Sequence, residues 1–410
     1  MITGNKCKVC MKNNQFISDN LLFNRAKLEL DFLEFKQEIC LGMIIIKDRT
    51  FLIEKMTHDY TAIKTKLEIT LNNKLKELGI YLYQMKFDYV VIATQKTMKK
   101  VREYIENANK NKLFSENLIL QMVCKKIDKN KTDLKSALLQ LDHVFNYINS
   151  EKTYFNKNTF NNQEFNEIYE LITHEKNVYY EIESALKENR VFLFTQGIGD
   201  KDKFIDKYEC LVRMEVNGII KSPDYFLKIA KKYNLYHEIS KRVIELAFDF
   251  YKDKESYFSI NLESSDFNNF CVLKMLVKNL KKYTKKKFII EITETEEFLV
   301  KNLKTLNKLR EKYNILVSID DYGTGYSNLM NITQLNANFL KIDGSIIRDI
   351  HNLKNNQKIL KNICDLAKSF DMKIVAEYVS NKEIKEFLDG YGIDFYQGYY
   401  IDIPKKIGKE

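Results

Sequence analysis

The sequence predicts an α/β fold, in which a C-terminal TIM-like (β/α)8 barrel follows a smaller α+β domain. Three observations predict it. Beyond Asn189, short β-branched apolar runs alternate with amphipathic stretches of three-four spacing. Acidic and amide residues stand at or near the ends of those runs. Upstream, segment 19–150 mixes strand and helix patterns without regular alternation.

In the C-terminal part the strand-like runs are Val191–Thr195, Cys210–Met214, Tyr257–Leu262, Phe288–Thr293, Leu316–Asp320, Phe339–Ile342, Lys373–Val379 and Phe395–Tyr400. Helical spacing separates most of them, over Phe226–Tyr233, Ile239–Tyr251, Glu296–Tyr313, Asn356–Phe370 and Lys382–Leu388. Eight strands with interleaved helices argue for a closed barrel; an open doubly wound sheet shares the periodicity. Gln163–Asn189 is charged and helical throughout and reads as a connecting helix. Further upstream, Met43–Ile46 and Tyr89–Ala93 read as strands, and Ala62–Leu78, Thr97–Asn107 and Leu134–Ile148 as helices. The expected organisation is a tail at 1–18, an α+β domain at 19–150, a helical linker at 151–189 and the barrel at 190–405.

The bulk composition narrows the function classes. The chain has 410 residues, 45% apolar and 30% charged, an ordinary globular balance. Its longest apolar runs, such as Leu41–Ile46 and Val90–Ala93, are strand-sized, so no membrane span is expected. Met1–Lys6 lacks a signal-peptide apolar core, which points to a cytoplasmic protein. The seven cysteines are irregularly spaced and expected to be reduced. Cys7 and Cys10 lack the further ligands of a structural zinc site. The net charge of +10 is dispersed among acidic residues, so no nucleic-acid partner is expected.

The chemistry is signalled by where the acids fall. Asn261 closes Phe-Ser-Ile-Asn, and Glu291 and Glu294 lie in Glu-Ile-Thr-Glu. Asp320 and Asp321 close Val-Ser-Ile-Asp-Asp, Lys341 and Asp343 lie in Lys-Ile-Asp, and Glu377 ends Ile-Val-Ala-Glu. One such acid alone is a helix cap or a surface charge. Six at corresponding strand ends converge on the mouth of a barrel, and unpaired buried charges there cost several kcal/mol each. Oxygen donors of this kind suit Mg²⁺ or Mn²⁺; the five histidines lie outside these strand ends. Two such ions are suited to displacement at a phosphodiester. Gly323 and Gly325 permit a tight loop directly after the acidic pair.

At these residues the chain resembles the EAL family of cyclic di-GMP phosphodiesterases, over about Val191 to Pro404. The signature Glu-Ala-Leu-x-Arg has its counterpart in Glu209-Cys210-Leu211-Val212-Arg213. The resemblance implies Glu209, Asn261, Glu291, Asp320, Asp321 and Glu377 as metal ligands and Lys341, Glu377 and Asp321 as the catalytic groups. It implies Gln196, Leu211, Arg213 and Gln397 as substrate-binding, and Glu294 as the anchor of loop Tyr322–Asn328 with Gly323 and Gly325. It further implies two divalent cations, hydrolysis of cyclic di-GMP to linear pGpG, and a homodimer formed through the EAL domain. A weakly catalytic cyclic di-GMP sensor is the alternative; sensors of this type usually lack metal ligands that this chain keeps. Cys210 stands for Ala, Gly197 for Pro, Asn328 for Ser, and Tyr378 and Ser380 where Gly and Glu are usual.

The N-terminal part resembles a degenerate GGDEF domain. Asp19–Arg25 matches that family's opening motif, and Met85-Lys86-Phe87-Asp88-Tyr89 stands at its glycine hairpin. Lys86 cannot reproduce the close backbone approach of glycine to a phosphate, and the paired metal Asp residues are missing around Asp48. No cyclase activity is expected.

Overall fold

The computed structural model describes residues 22–35, 38–47, 60–85, 88–114, 118–151, 154, 156–284, 287–293, 300–323 and 335–408. The chain divides into two compact units, Met1–Lys176 and Asn177–Glu410.

In the first unit, β1 (Ile39–Ile46), β2 (Leu82–Gln84), β3 (Tyr89–Ala93), β4 (Leu120–Ile127) and β5 (Thr159–Phe160) form a sheet in the order β2-β3-β1-β4-β5. β1 is antiparallel to both of its neighbours. Side chains alternate across a strand. Cys40, Ile44 and Ile46 therefore pack with helices α2 (Tyr60–Glu77) and α3 (Gln95–Lys110), while Leu41 and Met43 pack with α1 (Arg25–Glu34) and α4 (Leu134–Ser150). Both faces are thus covered. The helix α1 and strands β2, β4 and β5 carry no strong pattern and escape a reading by periodicity.

The second unit begins within α5 (Asn162–Lys187), whose Val178, Ile182 and Ala185 enter its core. Its strands are β6 (Val191–Gly199), β7 (Ile205–Val216), β8 (Ile219–Lys221), β9 (Tyr257–Asn261), β10 (Phe288–Thr293), β11 (Leu316–Tyr322), β12 (Phe339–Ile342), β13 (Lys373–Ala376), β14 (Phe395–Gln397) and β15 (Lys405–Lys406). Pairing runs β6-β7-β9-β10-β11-β12-β13-β14 and returns to β6, closing eight strands into a barrel. Helices α6 (Pro223–Lys232), α7 (Tyr236–Tyr251), α8 (Phe270–Lys282), α9 (Val300–Tyr313), α10 (Gly344–Ile347), α11 (Lys354–Ser369) and α12 (Lys382–Asp389) lie between the strands.

One strand departs from the parallel scheme. β6 is antiparallel to both β7 and β14. The link from Gly199 to Ile205 is too short for the crossover a parallel pair needs, so the two strands form a hairpin.

The barrel's two faces differ in chemistry. Phe258, Ile260, Ile290, Ile292, Val317, Ile319, Leu340, Ile342 and Ile374 face the surrounding helices and form the main core. The alternate positions Ile198, Ile289, Phe339 and Val375, with Tyr257, Leu316 and Phe395, form a separate apolar layer inside the barrel. Two residues further toward the C-terminal strand ends, the same inner face carries Glu291, Lys341 and Glu377. Strand periodicity therefore places these polar groups in one layer above an apolar floor.

Candidate active site

The layer is centred on Lys341, which is 1% exposed. Its Nζ lies 2.8 Å from Glu291 Oε2, 3.2 Å from Glu209 Oε2, 2.8 Å from Asp320 Oδ1 and 2.8 Å from Glu377 Oε1. These four acids come from β7, β10, β11 and the end of β13. An ammonium has three N–H donors, so it cannot serve four carboxylates equally. Asp320 Oδ1 meets it as an ion pair without hydrogen-bond alignment and is otherwise without a partner.

Successive residues of a regular strand face opposite ways, yet Asp320 and Asp321 both belong to this cluster. The backbone explains it. The β11–β12 register shifts between Ile319 and Tyr322, and Asp321 takes φ +55°. This bulge turns the second carboxylate to the side of the first. Gly323 follows at φ +103°, a backbone conformation that any side chain would strain.

An amide chain closes the other side. Asn261 Nδ2 donates to Glu209 Oε1 at 3.0 Å, and Gln397 Nε2 donates to Glu209 Oε2 at 2.7 Å and to Gln196 Oε1 at 3.3 Å. Gln196 donates in turn to the Asp402 carbonyl at 3.0 Å, while the Asp402 carboxylate accepts from the Gly197 N–H at 2.9 Å. Asp402 has no motif around it, and sequence reasoning missed it.

Burial and crowding set the charges. Burial and then the neighbouring Glu209 push Glu291 up to about 8. Burial also raises Asp320, and raises Glu377 well above the usual carboxylate range. Asp321 is pushed up to about 6, by burial first and then by Asp320. Burial acts the same way on Glu209, but Lys341, Gln397 and Asn261 outweigh it and hold that carboxyl low. Burial would lower Lys341; the surrounding acids, Asp320 and Glu209 foremost, keep it firmly protonated.

One ammonium cannot balance four buried carboxylates, so the cluster takes up protons, as the raised Glu291, Asp320 and Glu377 show, or cations in their place. Oxygens of Glu209, Glu291 and Asp320 lie within 4.8 Å of one another, as do those of Asp320, Asp321 and Glu377. Asp320 is common to both groups. An all-oxygen donor set with unbalanced charge fits hard divalent cations.

Two cavities adjoin the cluster. One, of about 410 Å³, is lined by Gln196, Glu209, Leu211, Arg213, Asp320, Asp321, Glu377 and Gln397, with Tyr378 and Tyr399 at its wall. The other, of about 300 Å³, reaches from Glu291, Asp320 and Asp321 past Leu211 to Pro223, Lys231 and Tyr236. The Arg213 guanidinium sits 5.5 Å from the Phe194 ring and donates to the Val212 carbonyl at 2.8 Å. It thus reaches the first cavity as a half-buried cation.

The cluster therefore gathers Gln196, Glu209, Asn261, Glu291, Asp320, Asp321, Lys341, Glu377 and Gln397, with Leu211 and Arg213 on the cavity wall. Asp343 does not join it; its carboxylate caps α10, accepting from the Ser345 N–H at 2.8 Å. Glu294 and Gly325 lie outside the described residues.

The EAL domain family model matches residues 180–404, just over half of the chain. The chain belongs to the EAL domain family. Cyclic di-GMP phosphodiesterase PdeF of Escherichia coli strain K12 is 34% identical over 236 residues, 55% of this chain and 31% of that protein. Cyclic di-GMP phosphodiesterase PdeA of Borreliella burgdorferi is 29% identical over 252 residues, 58% of this chain and 37% of that protein. The match thus spans about a third of the length of these curated relatives. Among solved structures, the PaMucR phosphodiesterase in complex with c-di-GMP superposes at TM-score 0.52 with 25% identity, over 56% of this chain and 97% of that one. The EAL domain protein of Listeria monocytogenes EGD-e does so at TM-score 0.51 with 28% identity, over 55% and 93%. The EAL match encloses the barrel and every described residue of the acidic cluster.

Proposed function

We propose that this chain hydrolyses cyclic di-GMP to linear pGpG. The observation that carries the reading is the convergence of acidic, amide and lysine side chains from all eight barrel strands on one oxygen-rich cluster beside a cavity. Glu209, Asn261, Glu291, Asp320, Asp321 and Glu377 would hold two Mg²⁺ or Mn²⁺ ions, which when bound supply an activated water and screen phosphoryl charge. Arg213 binds a substrate phosphate from the cavity wall and stabilises charge that grows on it. Lys341 donates toward the attacking water and fixes its position. Asp321 and Glu377, the least buried of the cluster's acids, are the groups placed to accept the proton that the water gives up. The water oxygen forms the new bond to phosphorus, and the ribose 3′-oxygen leaves.

The same reading extends to the rest of the chain. The boundaries are a tail at 1–18, a degenerate GGDEF-like domain at 19–150, a linker at 151–189 and the EAL barrel at 190–405. A mixed five-stranded sheet with helices on both faces supports a GGDEF-like platform. The protein is a cytoplasmic enzyme that pairs as a homodimer through its EAL domain. No described helix is long and apolar enough to cross a membrane.

The test is a nucleotide assay with purified chain and Mn²⁺ or Mg²⁺, separating cyclic di-GMP, pGpG and GMP. The expected product is pGpG, and Glu209→Ala should abolish it. Unchanged turnover in that variant would remove the assignment.

A further inference from the structure

Tyr378 follows Glu377 directly and has φ +57°. Among the described residues with positive φ it is the only aromatic one; most of the others are Asn, Asp or Lys. A bulky side chain is rarely held in this region, and such residues concentrate at binding sites.

The surroundings hold Tyr378 firmly. Its ring centroid lies 4.0 Å from Arg348 Cζ, a cation–π stack. Its Cβ rests on the Gly344 backbone, where an added Cβ would approach it to 2.8 Å. The next residue is stitched to the neighbouring strand end: the Val379 N–H donates to the Gln397 carbonyl at 2.9 Å, and the Tyr400 N–H donates to the Val379 carbonyl at 3.1 Å. Despite this fixing, the residue is 50% exposed and forms part of the wall of the cavity that also holds Arg213 and the 71% exposed Tyr399. A rigid aromatic face, backed by a guanidinium and left open beside a phosphate-binding arginine, suits the flat π-face of a nucleobase.

We infer that Tyr378 is a specificity-determining residue that stacks one guanine of the dinucleotide, with Arg348 as a positioning residue behind it. The inference rests on the cyclic di-GMP reading of the site. Glycine is at ease at φ +57°, so Tyr378→Gly removes the ring without backbone strain.

The experiment is equilibrium dialysis with labelled cyclic di-GMP in EDTA, together with KM for hydrolysis in Mn²⁺, on the full chain. Tyr378→Phe should stay within about two-fold of the parent. Tyr378→Gly should weaken binding about ten-fold or more, as expected for one lost base stack. The loss should shrink when cyclic di-GMP is replaced by its fully abasic analogue. Arg348→Gln should show a smaller loss of the same kind. Equal binding by Tyr378→Gly and parent, an equal loss in Tyr378→Phe, or a loss that persists on the abasic compound would each overturn the inference. A parent that binds but does not cleave would sink the hydrolase reading alone, since the dialysis comparison still decides the stack. A parent that does not bind cyclic di-GMP would sink both.

Discussion

Removal of the Lys341 ammonium tests the charge arrangement most sharply. Lys341→Met keeps the apolar stem and deletes the one cation that four acids share at 2.8–3.2 Å. Breaking a buried ionic set by removing one partner costs about 3–5 kcal/mol, because the remaining charge is left uncompensated. For a barrel of this size each kcal/mol lowers the midpoint by about 2–4 °C, so the metal-free variant should melt about 6–20 °C below the parent. Divalent cations should reverse part of this. The variant offers them the same oxygens without a competing ammonium, so Mn²⁺ should raise its melting temperature by more than it raises the parent's. Saturation at about a hundred times Kd contributes about 2.7 kcal/mol per site, well within reach of differential scanning fluorimetry. Turnover of cyclic di-GMP should be lost even when the fold is restored. Equal Mn²⁺ shifts in parent and variant would refute the idea that ammonium and metal answer the same negative charge.

Two further predictions follow from the same geometry. In metal-free protein, Glu291 is pushed up to about 8, and Glu377 and Asp320 are raised, all chiefly by burial. The folded state then binds more protons than the unfolded chain, so metal-free stability should fall as pH rises from about 4.5 toward about 8. Urea midpoints across that window should decline without metal, flatten with Mn²⁺ and decline less steeply in Glu291→Gln; a metal-free midpoint that rises with pH contradicts the charge assignment. Gly398→Ala should cost more than about 3 kcal/mol, because its φ is +150° and a Cβ would lie 2.3 Å from the Val379 carbonyl oxygen. A thermal midpoint within 2–3 °C of the parent would show that the β13 and β14 ends are not packed as described.

Much of the site was legible because strand periodicity is simple. Ile289 and Glu291, Phe339 and Lys341, and Val375 and Glu377 each lie two residues apart. An apolar run interrupted at that spacing already announces a polar group on an inner face. The closed barrel follows the same logic, since helices separate most of the strands from β9 onward. The reversed β6 is set by a connection too short for a helix, a feature of length rather than hydrophobic pattern. Three elements depend on contacts between distant segments and carry no local signal. The bulge that brings Asp320 and Asp321 to one side needs the β12 register. Asp402 matters only because β6 lies beside it. Tyr378 reads as a surface tyrosine until Arg348 and Gly344 are seen to hold it.

The central claim is that these oxygens surround two divalent cations. Anomalous diffraction from crystals grown in Mn²⁺ tests it directly. The account predicts two peaks, one among Glu209, Glu291 and Asp320 and one among Asp320, Asp321 and Glu377, both absent in Glu209→Ala plus Asp320→Asn. A cluster that stays free of manganese, or peaks only elsewhere on the molecule, would contradict it.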